Sequence, residues 1–237
     1  MSDKIRAFIW DVDGTLAETE EAHRLAFNEA FASAGLGWSW DMPSYRRLLM
    51  TTGGKERILS YAQSLGTDLS DAQIRELHAD KTKRYTEMVT GGRVTLRPGV
   101  AQAIARGRAA GIAQAISTTT SRPNIDALIE ATLGAPADQL FDAIAAGDEV
   151  GAKKPAPDVY LLALSRLGLD ARDCIAFEDS RPGVGSARAA GLRIVLTPSA
   201  YTDGDDFGPV DWTLSTLDQP WPASLLAQTG MAQVAVD

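Results

Sequence analysis

Four groups of polar residues in this sequence could bind a metal ion and a phosphate. Each group follows a short apolar run or stands in a proline-bounded loop, and together they supply acids, hydroxyls and a lysine. Such side chains hold cations and phosphate oxygens, whereas an apolar ligand would need an apolar surface. The groups are Asp11 with Asp13, the hydroxyl-rich run 117–121, Lys153 with Lys154, and Glu178 with Asp179.

These groups can act together only if the fold brings them to one place. In an open parallel sheet, ligands bind at the carboxyl ends of the strands, which is where the polar groups stand. Carboxylates gathered at such an edge repel one another unless a cation lies between them. Oxygen ligands without Cys or His favour Mg²⁺, and hydroxyls, a lysine and backbone N–H groups beside that ion would hold a phosphoryl group.

The apolar runs predict an α/β fold, with a parallel sheet covered by helices on both faces. Short apolar runs alternate with helical segments after residue 97, which is typical of right-handed βαβ crossovers. The predicted strands are 5–10, 112–117, 141–145, 174–177 and 194–196, with a possible last strand at 212–214. The predicted helices end at Ala110, begin at Pro123, span 157–167 and end at Ala190.

A block of helical character interrupts this alternation after the first strand. Apolar residues recur at helical spacing from Glu20 to about Thr90, with glycines and prolines between the groups. Because the first strand belongs with the later sheet, the block is interpreted as an inserted domain. We therefore predict a catalytic core of residues 1–17 and 92–237 and a helical cap of residues 18–91.

Composition limits the partners and the compartment. The 237 residues carry a formal net charge of -8, so we expect neither nucleic acid nor an anionic membrane surface as a partner. One cysteine excludes an intrachain disulfide and favours a reducing, cytoplasmic location. No signal peptide or membrane anchor is expected. The sequence does not fix the oligomeric state, and a monomer is the default expectation.

The four groups, taken in order, resemble the four motifs of the haloacid-dehalogenase superfamily. The matching segments are Asp11-Val12-Asp13-Gly14-Thr15, Thr118, Lys154 in Lys-Lys-Pro-Ala-Pro-Asp, and Glu178-Asp179-Ser180. The resemblance covers nearly the whole chain and implies a Rossmann-like core, with the insertion at the position of the first type of cap. Trp10 stands where the family usually has Phe, which should change only packing.

The resemblance implies a role for each core residue. Asp11 would attack phosphorus as an ordinary ionised carboxylate, with Lys154 offsetting the charge repulsion. Asp13 would protonate the leaving oxygen and later activate water, so we expect its pKa to be raised. Mg²⁺ would be held by Asp11, Asp179 and the backbone carbonyl of Asp13, with support from Glu178.

Nearby polar residues are implied as well. Thr118, with Thr119 beside it, would hydrogen-bond the phosphoryl oxygens. In related sequences a Thr and a His just after the first motif help to position the aspartate that acts as acid and base, and Thr19 and His23 occupy those places here.

The cap is expected to select the substrate, because the core performs only the phosphoryl chemistry. Its glycine-rich segment 51–57 allows close backbone approach and carries two cations. The cap resembles that of a branch whose members remove the 1-phosphate of xylulose 1,5-bisphosphate, an inhibitor of Rubisco. On that basis the expected sugar-phosphate ligands are Glu20, His23, Arg46, Gly53, Gly54, Lys55, Glu56, Arg57, His78 and Lys81.

Three other functions remain open at this point. The core motifs barely distinguish a phosphatase from a phosphomutase of the β-phosphoglucomutase type. A phosphatase for a monophosphate such as phosphoglycolate would share the same motifs. A catalytically silent binding module would be expected to have lost Asp11 or Asp13, and both are present.

Overall fold

A single parallel sheet forms the centre of the protein. The computed structural model describes residues 4–233, and within them the sheet has six strands in the order β3-β2-β1-β4-β5-β6. The strands are β1 (Ala7–Trp10), β2 (Ala113–Ser117), β3 (Ala143–Ala145), β4 (Cys174–Glu178), β5 (Arg193–Leu196) and β6 (Trp212–Thr213). The predicted α/β class is confirmed, and all five strand pairs are parallel.

Helices cover both faces of this sheet. They are α1 (Glu20–Ser33), α2 (Met42–Leu48), α3 (Gly54–Ser64), α4 (Asp71–Thr90), α5 (Val100–Ala109), α6 (Arg122–Leu133), α7 (Ala137–Leu140), α8 (Asp158–Leu167), α9 (Arg181–Ala189) and α10 (Ala223–Thr229). Because successive strand residues point to opposite faces, Phe8 and Trp10 pack towards α5, α6 and α10. Ala7 and Ile9 pack towards α8 and α9. Every residue of β1 is therefore buried.

The helices α1 to α4 lie between β1 and β2 in the chain and have an apolar core of their own. Aromatic rings dominate it, with Phe27, Phe31, Trp40 and Tyr45 all nearly inaccessible. The long helix α4 begins at a capping box, in which Ser70 and Gln73 satisfy each other's backbone N–H groups. This unit stands over the carboxyl ends of the strands, because its residues share cavities with the loops that follow β1, β2 and β4.

The two connections to this helical unit run side by side. Ala17 and Leu96 form an antiparallel bridge, and the N–H of Arg97 donates to the carbonyl of Leu16 at 2.8 Å. The buried Arg97 guanidinium also bonds to the carbonyls of Gly14 and Thr197. Both connections are thus tied to the loops at the strand ends.

Two helices were absent from the sequence-based prediction. The helix α7 has four residues, too few to show a helical period. The helix α10 follows the last predicted strand, in a segment for which no element was predicted, yet Leu225 is fully buried in the main core. A helix of seven residues between Pro222 and Gly230 is too short to be recognised from the spacing of its apolar residues.

Within residues 4–233, no helix combines the length and the apolar character that crossing a membrane requires.

Candidate active site

Three carboxylates meet where β1 and β4 end. The two strands are parallel neighbours with Trp10 opposite Phe177, so Asp11 lies beside Glu178 and Asp179. Carboxylate oxygens of these three acids lie within 4.8 Å of one another, and all three side chains are buried. The resemblance assigns Asp13 only a backbone carbonyl, and its carboxylate is not part of this group.

The donor set fits a hard divalent cation such as Mg²⁺. It consists only of oxygen, and Oε2 of Glu178 is buried without a hydrogen-bond partner in the described structure. Glycines allow the close approach of the backbone to these acids. A Cβ at Gly14 would lie 2.1 Å from Oδ2 of Asp179, and one at Gly183 would lie 1.9 Å from Oε2 of Glu178. Any larger residue at either position would displace a carboxylate.

Lys154 is the ammonium that faces this group. Its Nζ donates to Oδ1 of Asp11 at 2.7 Å, to Oε1 of Glu178 at 2.6 Å and to the carbonyl of Ser117 at 3.0 Å. Burial favours its neutral form, but the charges of Asp11 and Glu178 outweigh that effect and raise its pKa. The hydroxyl of Tyr160 donates to the same Glu178 oxygen at 2.6 Å.

One ammonium among three carboxylates leaves two formal negative charges in a buried place. Burial raises the pKa of Asp11 to about 7, and Glu178 adds to the rise while Lys154 opposes it. Burial and the charges of Asp11 and Glu178 also raise the pKa of Asp179 well above its usual range. A divalent cation bound between these carboxylates would balance the two negative charges.

Asp13 lies in a different environment, at the start of a hydrogen-bonded chain. Its Oδ1 accepts from the Thr19 hydroxyl at 2.6 Å and lies 2.9 Å from Nε2 of His23. The Nδ1 of His23 lies 2.7 Å from Nζ of Lys81. An ammonium can only donate, so Nδ1 accepts, Nε2 carries the ring proton, and His23 donates to Asp13. Burial and the charge of Lys81 lower the pKa of His23, which agrees with a neutral ring.

The pKa values expected for Asp11 and Asp13 are reversed in this arrangement. Burial alone would raise the pKa of Asp13, but its interactions with His23 and Thr19 lower it to about 2. Asp11, expected to be ordinary, has the raised value. The expectation for Asp13 was wrong because the motif shows the carboxylate and not the donors that the fold places against it.

Most of the predicted site residues line one cavity between the helical unit and the core. The residues predicted from the sequence that line it are Asp11, Asp13, Glu20, His23, Gly53, Gly54, Arg57, His78, Lys81, Thr119, Lys154 and Asp179. Glu178 lies beneath this cavity within β4 and is inaccessible. Thr118 is buried, and its hydroxyl accepts from the N–H of Thr120 at 3.2 Å.

Three predicted residues lie elsewhere. Lys55 and Glu56 line a second cavity, which shares Gly53, Gly54, His78 and Thr119 with the first. Arg46 lines neither cavity, and its guanidinium donates to Oδ1 of Asp205 at 2.8 Å and to the carbonyl of Asp203. The structure therefore does not bring Arg46 to the predicted ligand site.

Three cations act on His78, which lines both cavities. Burial lowers the pKa of His78 to about 3, and the charges of Lys81, Lys55 and Arg57 lower it further. A neutral imidazole surrounded by these cations marks a place where an anion would be stabilised. Arg57 itself is buried and braces the helical unit, since it donates to the Tyr45 hydroxyl at 2.9 Å and to two backbone carbonyls.

Several residues that line the first cavity were not predicted as ligands. They are Phe27, Leu49, Thr52, Thr120, Asn124, Ser180, Pro182 and Thr202. Thr120 and Ser180 belong to predicted motifs and could have been included. Thr202 follows β5, and extending the search for polar residues to that strand end would have found it. The sequence carries no clear signal for Asn124, which is buried on α6.

Comparison with known proteins identifies the architecture. The family model of haloacid dehalogenase-like hydrolases matches residues 5–191, most of the chain. The chain belongs to this family of hydrolases. Relatives of the hydrolase include the protein CbbY of Rhodobacter capsulatus, which is 59% identical over 214 residues, covering 90% of this chain and 94% of that protein.

Solved structures agree with this assignment. A mutant of CbbY from Rhodobacter sphaeroides in complex with xylulose 1,5-bisphosphate matches this hydrolase with a TM-score of 0.88 at 46% identity, covering 91% of this chain and 96% of that chain. A β-phosphoglucomutase from Clostridium difficile matches with a TM-score of 0.77 at 19% identity, covering 95% and 97% of the two chains. At that identity the second likeness shows the fold alone.

Proposed function

We propose that this hydrolase is a Mg²⁺-dependent phosphatase that removes the 1-phosphate of xylulose 1,5-bisphosphate through an aspartyl-phosphate intermediate. The observation that carries the proposal is the meeting of Asp11, Asp13, Lys154 and Asp179 in one cavity beneath the helical unit. The complex of the related CbbY with this bisphosphate supports the choice of substrate.

Asp11 is the nucleophile in this proposal. Its carboxylate oxygen attacks phosphorus in line, a P–O bond to Asp11 forms, and the bond from phosphorus to the sugar oxygen breaks. Lys154 holds Oδ1 of Asp11 at 2.7 Å, which orients the carboxylate and offsets its repulsion by phosphate. Bound Mg²⁺, held by Asp11, Asp179 and the backbone carbonyl of Asp13 with Glu178 in support, would neutralise charge on the phosphoryl oxygens.

Asp13 delivers the proton to the leaving sugar oxygen and then takes one from the water that hydrolyses the phosphoenzyme. The Thr19 hydroxyl and Nε2 of His23 fix its orientation. These contacts favour the ionised form, so Asp13 needs a further influence to carry a proton. The negative charge of an entering phosphate provides it, because a like charge nearby raises the pKa of a carboxyl group.

The phosphate being transferred lies against the loop that follows β2. Thr118 and Thr119 belong to this loop, and Thr119 lines both cavities. The hydroxyl and backbone N–H groups there can donate to phosphoryl oxygens. Thr118 already receives a bond from the N–H of Thr120, so its own hydroxyl proton is free to be donated.

The sugar and its distal phosphate extend beneath the helical unit, which we assign as a cap of residues 18–91 over a core of residues 1–17 and 92–237. Glu20 and His78 line the first cavity, where they can bond sugar hydroxyls. Lys55 of the second cavity lies in the region of positive charge around His78 and would bind the distal phosphate. Gly53 and Gly54 line both cavities, and a Cβ at Gly54 would lie 2.6 Å from the His78 ring, so a larger residue there would displace that ring.

Two further properties complete the proposal. The single cysteine, Cys174, is free and buried, which suits a reducing compartment, and we place the enzyme in the cytoplasm. We also expect it to act as a monomer.

The proposal is tested by measuring phosphate release from a panel of sugar mono- and bisphosphates. Xylulose 1,5-bisphosphate should give the highest kcat/KM, EDTA should stop turnover, and Ca²⁺ should inhibit because its longer, looser coordination misplaces the nucleophile. A higher kcat/KM for phosphoglycolate would contradict the bisphosphate assignment. Conversion of glucose 1-phosphate to its isomer, with a bisphosphate primer and no net phosphate release, would instead show a phosphomutase.

A further inference from the structure

The segment 199–205, which follows β5, contacts the buried carboxylates on one side. The Thr202 hydroxyl donates to the backbone carbonyl of Asp179 at 2.7 Å and lies 3.4 Å from its Oδ2. The same hydroxyl accepts from the N–H of Ser199 at 2.9 Å. The carbonyl of Ser199 accepts from the N–H groups of Thr202 and Asp203, so the segment is a tight turn.

This turn limits the positions that Asp179 can take. Gly14 also lies close to this carboxylate, since a Cβ there would be 2.1 Å from Oδ2 of Asp179 and 3.1 Å from Cβ of Ser199. The Gly14 backbone and the Thr202 hydroxyl therefore both contact Asp179 and limit where it can lie. Both Ser199 and Thr202 are buried, so water does not compete freely for these bonds.

On its other side, the segment contacts the cap. The Tyr201 ring is 5% exposed and packs edge-on against Tyr45, with centroids 5.9 Å apart. The Tyr201 hydroxyl donates to Glu21 of α1. Arg46, which does not reach the substrate cavities, bonds to Asp205 and so adds a third contact between cap and turn.

The cap partner of Tyr201 is itself connected to the cavity. The Tyr45 hydroxyl donates to Oε2 of Glu20 at 2.9 Å and accepts from Arg57 at 2.9 Å. Glu20 and Arg57 both line the first cavity. A continuous set of contacts therefore runs from the cap side of the cavity, through Tyr45 and Tyr201, to the core carboxylates.

We propose that Thr202 positions the metal ligand Asp179, and that the adjacent Tyr201 makes this positioning depend on the contact between cap and core. The proposal rests on the proposed function, because Asp179 is a metal ligand only there. Tyr201 and Thr202 are consecutive in a turn closed by hydrogen bonds, so a displacement of one moves the other. The cap then influences the metal site without contributing a ligand to it.

The first test measures Mn²⁺ binding to the full chain by electron paramagnetic resonance without substrate. Loss of one hydrogen bond to a ligand should raise the Kd of Thr202→Val about five- to tenfold. Thr202→Ser, which keeps the hydroxyl, should restore the original Kd. The control is Thr132→Val, which loses a hydroxyl bonded only within α6. An unchanged Kd for Thr202→Val would overturn the positioning role.

The second test is a double-mutant cycle on the same Kd. Tyr201→Leu, which removes the ring that packs against Tyr45, should raise the Kd roughly three- to fivefold, with no further rise in the Thr202→Val background. Tyr201→Phe keeps the ring and should have a smaller effect, which guards against a folding defect in the Leu variant. An unaltered Mn²⁺ Kd in both Tyr201 variants, or effects that simply add, would overturn the coupling.

The outcomes separate this proposal from the proposed function. If the unmodified chain binds Mn²⁺ but does not hydrolyse sugar bisphosphates, the substrate assignment fails and the binding cycle still decides the coupling. If the unmodified chain does not bind Mn²⁺, the metal site and the coupling are both overturned. Thermal unfolding of each variant identifies losses that come from global destabilisation.

Discussion

Replacing Asp11 by Asn should abolish turnover and, in the presence of EDTA, make the protein more stable at alkaline pH. The amide is nearly isosteric and cannot act as a carboxylate nucleophile, so phosphate release should be lost. The effect on stability follows from burial, because Asp11 is 6% exposed and shares its site with Glu178 and Asp179. A neutral side chain removes one of the charges that repel each other there.

The size of the effect follows from the pKa of Asp11. The folded-state value is about 7 and the reference value is 3.8. Since a tenfold change in an equilibrium constant is about 1.4 kcal/mol, ionising Asp11 in the folded protein costs roughly 4 kcal/mol more than in the unfolded chain.

The direction of the pH dependence of stability follows from the raised pKa of Asp11. The folded protein binds the proton more tightly, so the stabilisation is complete below about pH 4 and is lost as the pH rises through about 7. In EDTA the free energy of unfolding of the unmodified protein should therefore fall between pH 5 and pH 8. Asp11→Asn lacks this loss, so at pH 8 its free energy of unfolding should exceed that of the unmodified protein by about 1–3 kcal/mol. The gain is smaller than the full cost of ionising Asp11 because Glu178 and Asp179 still repel each other.

The assay is urea denaturation at pH 5 and pH 8, with EDTA and with excess Mg²⁺. Mg²⁺ should stabilise the unmodified protein more than the variant, because binding to the folded state adds to its stability by mass action. Asp68→Asn, an exposed substitution on the cap, is the control for loss of charge alone. Equal stability of Asp11→Asn and the unmodified protein at pH 8 in EDTA would refute the electrostatic reasoning, and retained turnover would refute the nucleophile assignment.

Three further predictions concern the cations of the cap. Lys55→Ala should lower kcat/KM for the bisphosphate about tenfold and leave p-nitrophenyl phosphate unaffected, with exposed Lys83→Ala as control; equal slowing of both substrates would exclude a distal-phosphate role. Arg57→Ala should lower the free energy of unfolding by about 2–3 kcal/mol and slow both substrates, and a selective loss of the bisphosphate reaction without destabilisation would contradict its bracing role. Burial lowers the pKa of Lys81 to about 8, so kcat/KM should fall as the pH rises through that value and the positive charge beside His23 is lost. Lys81→Arg should move this fall to higher pH, and an unmoved fall would exclude Lys81 as its source.

The core of the site could be predicted from sequence because each motif stands at the end of an apolar strand. The order of the motifs fixes which strand carries each one, and parallel pairing then brings the strand ends together. Asp11 and Asp179 are 168 positions apart in the printed sequence, yet one rule about strand ends places both at the same edge. No knowledge of side-chain packing was needed for that step.

The cap could not be treated in the same way, because several of its basic residues look alike in sequence. Arg46, Lys55 and Arg57 are all cations of one segment, and the fold gives them different surroundings. Arg46 bonds to Asp205, Lys55 faces the second cavity, and Arg57 is buried against Tyr45. Those differences depend on tertiary packing, which charge and spacing do not report.

The predicted pKa values of Asp11 and Asp13, the two acids proposed to be catalytic, were wrong for a related reason. A motif reports the identity of a carboxylate, whereas its pKa depends on the donors and charges that the fold brings to it. Thr19 and His23 lower the pKa of Asp13, whereas burial raises the pKa of Asp11, with Lys154 opposing the rise and Glu178 adding to it. His23 is ten positions from Asp13, and its contact required the geometry of α1.

The distribution of charge shows how an acidic protein could hold the proposed substrate, which carries two phosphates. The formal net charge is -8, so long-range attraction for an anion is absent. At physiological ionic strength charges more than about 8 Å apart in solvent are largely screened, and the local groups decide. The core edge needs a cation to accept one phosphate, while the cap supplies Lys55 and Lys81 near His78 for the other.

Neither half of the protein is therefore sufficient for a bisphosphate. A substrate with two phosphates gains charge-assisted bonds from the core and from the cap at once, so its binding favours the arrangement in which both line one cavity. A monophosphate gains only the contacts with the core, so its binding does not stabilise the arrangement of cap and core further. In the proposed mechanism, charge at the cap also affects the rate, because His23 and Thr19 orient Asp13, the proposed proton donor to the leaving oxygen.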